Sequence, residues 1–297
     1  MEKIEQNKEI TINEGGNDIK IIETWDEFDL KDDLLRGVFA NGFETPSQIQ
    51  KQAILPIIEK RDLIAQAPSG TGKTAAFTIG ALQRIDISSK TTQVLVMAPT
   101  HELVRQISGV ISVIGNMMEG LVVKTLIGGT SVMDDSAELR RNTPHVIIGS
   151  VGRVSDMIRR KYIRTSDIKL FVLDEADEML SGGFLDNIYQ MFHMFNTDLQ
   201  VAIFSATLPT EIIDLTNRFM RKPVKITLEA EKLNLDGIQQ YYIALPSDQS
   251  KLDTLKDLFG TLHLKQTIVY SNSVNRVIDL YDAMRNDDHS VCCIHSS

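Results

Sequence analysis

Asp62-Leu63-Ile64-Ala65-Gln66-Ala67-Pro68-Ser69-Gly70-Thr71-Gly72-Lys73-Thr74 decides the fold. The run Asp62–Gln66 has strand length, and Ala75-Ala76-Phe77 opens a helix directly after the glycine-rich turn. Strand, glycine-rich loop and helix in that order form a phosphate loop, here with Ala67 where the general pattern has its first glycine. Gly70 and Gly72 allow backbone N–H groups to turn inward around a phosphate. The following helix N-terminus adds partial positive charge. Lys73 is placed to reach β- and γ-phosphates, the Thr74 hydroxyl to coordinate Mg²⁺, and Ser69 and Thr71 complete the loop.

Similar short apolar runs recur on both sides of this unit. Val94–Ala98, Val122–Ile127, Val146–Gly149, Leu170–Leu173 and Gln200–Phe204 are bounded by turn residues and separated by helix-length segments. Fully apolar strands alternating with helices predict an α/β fold, a parallel sheet with helices on both faces. Residues 1–23 are polar and weakly periodic and are expected to form a mobile tail. The first domain is expected over 24–228, a charged linker over 229–237, and a second domain over 238–297. That last stretch reads as strands at Gln240–Ala244, Thr267–Tyr270 and Val291–Ile294, with helices Lys251–Gly260 and Ser273–Arg285 between them.

Composition narrows the class. The chain has 297 residues, 42% hydrophobic and 24% charged, which excludes disordered, collagenous and disulfide-scaffold proteins. A net charge of −9 argues against a broad basic surface but leaves room for a local one. Cys292 and Cys293 are adjacent, a poor disulfide or metal spacing, and are expected to be reduced core thiols of a cytoplasmic protein. No stretch approaches a membrane span, and Met1–Ile10 lacks the apolar core of a signal peptide.

A second constellation lies at Leu173-Asp174-Glu175-Ala176-Asp177, at the C-terminal end of an apolar strand. Ligands of open α/β sheets bind at such strand ends. Asp174 is placed to hold Mg²⁺ and Glu175 to orient and deprotonate an attacking water, so Lys73, Asp174 and Glu175 are the expected catalytic residues.

Asp-Glu-Ala-Asp behind this phosphate loop resembles the DEAD-box RNA helicases, in particular the branch serving eukaryotic translation initiation. Further motifs follow in the family's order. Gly42-Phe43-Glu44-Thr45-Pro46-Ser47-Gln48-Ile49-Gln50 resembles the adenine-reading Q motif, and Trp25, seventeen residues before Gly42, the upstream aromatic. Pro99-Thr100-His101-Glu102-Leu103, Gly128-Gly129, Gly152-Arg153 and Ser205-Ala206-Thr207 resemble later elements. The resemblance implies a RecA-like first domain followed by the start of a second, similar one. It implies ATP and Mg²⁺ as cofactors, RNA-stimulated ATP hydrolysis and local RNA unwinding.

The side chains suit those roles. The Gln50 amide can pair with adenine N6 and N7, and Trp25 and Phe43 can stack or pack against the base. By resemblance, Ser205 and Thr207 bond the Asp177 carboxylate and couple nucleotide to RNA. Pro99, Thr100, Gly128, Gly129, Gly152 and Arg153 are expected to meet the RNA backbone. Such contacts carry no sequence information, so recognition should be sequence-independent. Arg159-Arg160-Lys161 reads instead as a solvated helix end. Translation factors are the expected protein partners of a monomer.

The chain also departs from the pattern. His101 stands for the usual arginine, Ser150-Val151 for Thr-Pro, and Gly182 where an arginine is common. The family's second domain continues well past position 297, into an arginine-rich motif that stabilises the transferring phosphate. An ATP- and RNA-binding module with weak or no turnover is therefore the alternative expectation.

Overall fold

The computed structural model describes residues 20–228, 241–262 and 266–295. The chain divides into two compact units, Met1–Lys232 and Leu233–Ser297. The expected linker 229–237 and most of the expected tail lie outside the described residues.

In the first unit, strands and helices alternate. The strands are β1 (Leu63–Gln66), β2 (Val94–Ala98), β3 (Val123–Leu126), β4 (Val146–Ser150), β5 (Leu170–Asp174), β6 (Gln200–Ser205) and β7 (Val224–Thr227). The helices are α1 (Asp32–Ala40), α2 (Gln48–Ile58), α3 (Lys73–Arg84), α4 (His101–Ile114), α5 (Val132–Arg141), α6 (Val151–Arg159), α7 (Ala176–Met179), α8 (Leu185–Phe192) and α9 (Thr210–Phe219). The strands form one sheet in the order β3-β4-β2-β5-β6-β1-β7, every described pairing parallel. This is the RecA-like α/β architecture that the motifs imply.

Both faces are covered because the central strands are apolar at nearly every position. Alternate residues feed two separate cores. Val94, Val96, Leu170, Val172, Ala202 and Phe204 join the core under α1 to α4. Leu95, Met97, Phe171, Leu173, Val201 and Ile203 join the core under α6 to α9. This is the strict side-to-side alternation of a pleated strand, buried on both sides as a parallel sheet requires. The sheet's C-terminal edge therefore collects the loops that follow each strand. The N-terminal edge collects those that precede them.

The structure departs from the sequence expectation in three places. β7 is an additional strand; its residues follow Pro223 and alternate buried with exposed over only four positions. Asp62 anchors this end of the sheet: its backbone carbonyl accepts from Val224 N at 2.7 Å, and its carboxylate from Val201 N at 2.9 Å and Arg221 N at 2.6 Å.

The second unit contains helices α10 (Ser250–Thr261) and α11 (Val274–Asn286), close to the expected ranges. The expected strands, however, carry no ladder among the described residues. Strand propensity alone does not make a strand; the backbone groups need a paired neighbour. Accordingly Tyr242 is 92% exposed, and Ile268, Tyr270 and Ile294 are exposed as well. Cys292 and Cys293 lie on the same unpaired segment and are exposed, not core thiols.

Candidate functional site

Strand order sorts the motifs into two halves of one edge. β5, β6 and β1 are neighbours, so the segments after them adjoin: Glu175-Ala176-Asp177, Ala206-Thr207 and the phosphate loop. β3, β4 and β2 are neighbours too, so Gly128-Gly129, Gly152-Arg153 and Pro99-Thr100 adjoin in the other half.

In the first half, Ser69, Lys73, Glu175, Asp177 and Thr207 line an open cleft of about 530 Å³. Gly70 and Gly72 have φ of +80° and +97°, the left-handed region that favours glycine. A Cβ at Gly72 would also stand 2.7 Å from Gln50 Nε2. Lys73 opens α3, and its buried ammonium donates to Ala67 O at 2.7 Å. Thr71 Oγ1 donates to Pro68 O at 2.9 Å, closing the loop on itself, and Thr74 follows in the first turn of α3.

The segment before α2 clamps this loop. Ser47 Oγ donates to Thr71 O at 2.8 Å and Gln50 Nε2 to Gly72 O at 3.3 Å, while Gln50 Oε1 accepts from Ser47 N at 2.8 Å. An amide offers two donor hydrogens and two acceptor lone pairs. These contacts use one of each and hold the buried Gln50 amide against the phosphate loop. Ser47 is a site residue that motif reading did not single out; its signal is its place in the Gly42–Gln50 stretch, three residues before Gln50.

Trp25 is a correction. It is 1% exposed and packs on Phe28 with ring centroids 5.9 Å apart, as a core aromatic with no face open to a base. Its indole Nε1 has no hydrogen-bond partner. Phe43 is partly buried against the same core.

Asp174 is the last residue of β5 and is buried. Burial raises its pKa to about 6; Lys73 opposes that rise, while Glu175 adds to it. Glu175 has φ +52° and ψ 50°, an uncommon conformation for a non-glycine residue. Its carboxyl is also raised, by burial first and then by a hydrogen bond with Glu178. Asp177 goes the other way. Burial raises it, but hydrogen bonds from Thr207 and Ser205 outweigh that and hold it below the usual range. Thr207 donates to its Oδ2 from Oγ1 at 2.7 Å and from N at 3.0 Å, and Asp177 N donates to Ser205 Oγ at 3.2 Å. Two carboxyls held above their ordinary range thus stand beside one held ionised.

Among the described residues, no cluster of three or more His, Cys, Asp or Glu could hold a metal alone. The donor set fits an ion that a nucleotide's phosphates carry in, completed by Asp174 and Thr74.

In the second half, Thr100 caps α4, its Oγ1 accepting from Leu103 N at 3.2 Å. Gly129 and Gly152 are exposed, and Gly152 lies in the first turn of α6. Gly128 is crowded by His101, whose Nε2 would be 3.3 Å from a Cβ there. Arg153, expected to donate to RNA phosphate, is a correction: its side chain is buried and three of its five N–H donors bond within the chain. Nη1 pairs with Asp135 and donates to Thr130 Oγ1 at 3.0 Å, and Nη2 donates to Thr130 O at 2.6 Å. Arg153 therefore fastens the Gly128–Thr130 turn to α6. Neither Thr130 nor Asp135 stands out in the sequence motifs. Thr130 directly follows the glycine pair, whereas Asp135 carries no local signal.

These motifs have relatives among known proteins. The DEAD/DEAH box helicase family matches residues 47–215. "Eukaryotic initiation factor 4A" of Caenorhabditis elegans is 47% identical over 94% of this chain and 69% of its own length. "ATP-dependent RNA helicase eIF4A" of Neurospora crassa is 46% identical over 92% and 68%. Among solved structures, S. cerevisiae Dbp5 bound to RNA and ADP BeF3 superposes with a TM-score of 0.79 at 30% identity, covering 93% of this chain and 70% of that one. A DEAD box protein from Methanococcus jannaschii gives 0.67 at 26% identity, covering 93% and 74%. Phosphate loop, Asp174–Asp177 and the Ser205–Thr207 clasp on one sheet edge thus agree with sequence and structural kinship: the chain belongs to the DEAD-box family of ATP-dependent RNA helicases.

Proposed function

We propose that this chain binds Mg·ATP in the β1–β5–β6 half of the edge and the RNA backbone in the β2–β3–β4 half, coupling hydrolysis to local strand separation in cytoplasmic translation initiation. The single observation that carries this reading is the adjacency of β5, β6 and β1, which puts Ser69 and Lys73 of the phosphate loop, Glu175, Asp177 and Thr207 around one cleft, with Asp174 at the end of β5 beside it. The names of the relatives favour this reading over the non-hydrolysing binding module.

Lys73 and the loop N–H groups bind the phosphates, and Gln50 reads adenine. Asp174 and Thr74 hold Mg²⁺, which would neutralise charge on the phosphates. Glu175 orients the attacking water and takes its proton, a role suited to a carboxyl with a raised pKa. Asp177, Ser205 and Thr207 link that chemistry to the loop after β6. Thr100, Gly128, Gly129 and Gly152 present hydroxyl and backbone N–H groups to phosphates, Pro99 fixes the backbone before Thr100, and Arg153 holds their geometry. In this reading the chain acts as a monomer with initiation factors as partners, 24–228 is its ATP-binding helicase domain, and 238–297 belongs to the second. No helix among the described residues is long and apolar enough to cross a membrane.

The test is phosphate release from ATP and from GTP, with and without single-stranded RNA, beside calorimetric Mg·ATP binding. RNA-stimulated release that prefers ATP is expected. Binding of both ligands without release would replace this reading with the binding module, and equal use of GTP would remove the role of Gln50.

A further inference from the structure

The N-terminal edge of the sheet, opposite the nucleotide, carries two adjoining clefts of about 400 and 510 Å³ that share Thr91 and Asp167. Lys90, Arg140, Lys161 and Arg164 line the first; Lys60, Arg84 and Lys169 line the second. Only Asp167 and Asp198 oppose these seven cations in the lining, on a chain whose net charge is −9.

The cations lack carboxylate partners. Among the described residues, Lys60, Lys90, Arg140, Lys161 and Arg164 make no ion pair. Arg84, half-buried, donates to the neutral amide oxygen of Gln200, and Lys169 to that of Gln93 at 3.1 Å. Asp86 is the further carboxylate within reach of Lys169's field. Burial pushes the Arg84 guanidinium down to about 10. Arg84 is the half-buried member, costly to hold charged beside a neutral partner, and an external anion relieves that cost; the other six cations are exposed.

Helix dipoles explain part of this. Arg84 and Arg140 lie in the last turns of α3 and α5, where a cation is favoured. Lys90, Arg164 and Lys169 stand exposed on loops between elements, and Lys161 just past the end of α6. Lys161 is exposed there, as the sequence reading expects, and also lines this cleft.

We propose that these two clefts bind the phosphate backbone of a second stretch of single-stranded RNA, on the face opposite the helicase edge. The inference rests on the RNA-helicase reading of the chain. The clefts follow the starts of β4, β2, β5 and β6, which at strand spacing is about 15 Å, room for a short run of nucleotides. The Ser89–Thr91 hydroxyl pair, at 2.9 Å, keeps one proton free to donate beside the cations. A protein partner would want an apolar or aromatic anchor pocket. Here Leu139 and Ile147 are already buried, and Arg140 covers the Tyr162 ring at 5.4 Å from its centroid. Unpaired cations and hydroxyls without an open anchor suit a phosphate backbone better than an acidic peptide.

The test is fluorescence anisotropy of a labelled oligouridine with the full chain, titrated over salt without nucleotide. The variants are the triple Lys90→Glu, Lys161→Glu, Arg164→Glu and, should it fold poorly, the triple glutamine substitution at the same loop positions. The expected result is an RNA affinity lower by about tenfold or more, with a log–log salt slope shallower by about 2. Mg·ATP affinity should not change. RNA affinity within twofold of the parent chain in both variants overturns the proposal and leaves the functional reading intact. A parent chain that does not bind oligouridine overturns both. Loss of poly-glutamate binding with RNA binding retained overturns the proposal in favour of an acidic protein segment.

Discussion

The two halves of the sheet's C-terminal edge share one backbone design and use charge in opposite ways. In the β5–β6–β1 half, charged groups are buried before their ligand arrives. Asp174 sits in the core end of β5 with its pKa raised to about 6, and Lys73 rests on a backbone carbonyl. In the β3–β4–β2 half the cation is already neutralised: Arg153 is paired with Asp135 and tied to Thr130, and exposed Thr100, Gly129 and Gly152 remain for a ligand. The first half holds electrostatic strain that a charged ligand relieves. The second pairs its buried cation within the chain and leaves exposed hydroxyl and backbone groups beside it.

That contrast can be broken experimentally. The largest effect is expected from Arg153→Ala, which strands the buried Asp135 carboxylate. Removing one partner of a buried pair costs about 3–5 kcal/mol, with Lys124, 3.5 Å from Asp135, keeping the loss toward the lower figure. Urea denaturation measures it; a loss below about 1 kcal/mol would mean that the second half is not neutralised in advance.

Next comes Asp174. Because burial raises its folded pKa above the unfolded value, its favourable contribution is complete below about pH 4 and disappears as pH rises through about 6. Near pH 7 the ionised group costs up to about 3 kcal/mol, because a carboxyl raised from 3.8 to about 6 resists ionisation by about 1.4 kcal/mol for each tenfold change in acidity. Asp174→Asn should therefore raise the melting temperature at pH 7, flatten stability between pH 4 and 7, and lose Mg·ATP binding. A variant less stable than the parent at pH 7 would refute the idea that this half stores strain.

Lys73→Ala should weaken Mg·ATP binding roughly 10–100-fold, the worth of one charge-assisted hydrogen bond, and leave RNA binding unaltered. Unchanged nucleotide affinity in calorimetry would contradict the proposed phosphate site. The smallest effect is expected from Thr207→Val, which removes one hydrogen bond to Asp177 and about 0.5–1.5 kcal/mol of stability. RNA stimulation of ATP hydrolysis should fall while Mg·ATP affinity stays within twofold. Full stimulation would show that the two halves communicate by another route.

Much of this contrast is legible in the chain itself, for particular reasons. Six of the seven strands are largely apolar runs between turn residues, and such runs have few other ways to bury themselves. β7 escapes because an edge strand with alternating exposure carries half that signal. The three short segments of the second unit show the converse, strand-like composition without a described ladder. Within the site, residues adjacent in sequence to a glycine turn or strand end are readable, as Gly72, Lys73 and Asp174 are. Trp25 misleads because a single aromatic looks alike whether it faces a ligand or a core.

Sequence by itself determined the alternation of strands and helices, the phosphate loop and the acidic end of β5, since each is a property of contiguous residues. Only the tertiary structure decided that Arg153 is paired with Asp135, that the Gln50 amide is turned onto the phosphate loop, and that seven cations gather on the opposite edge. A side chain's remaining valence depends on partners that the fold brings from distant positions, and in a parallel sheet those partners are set by strand order.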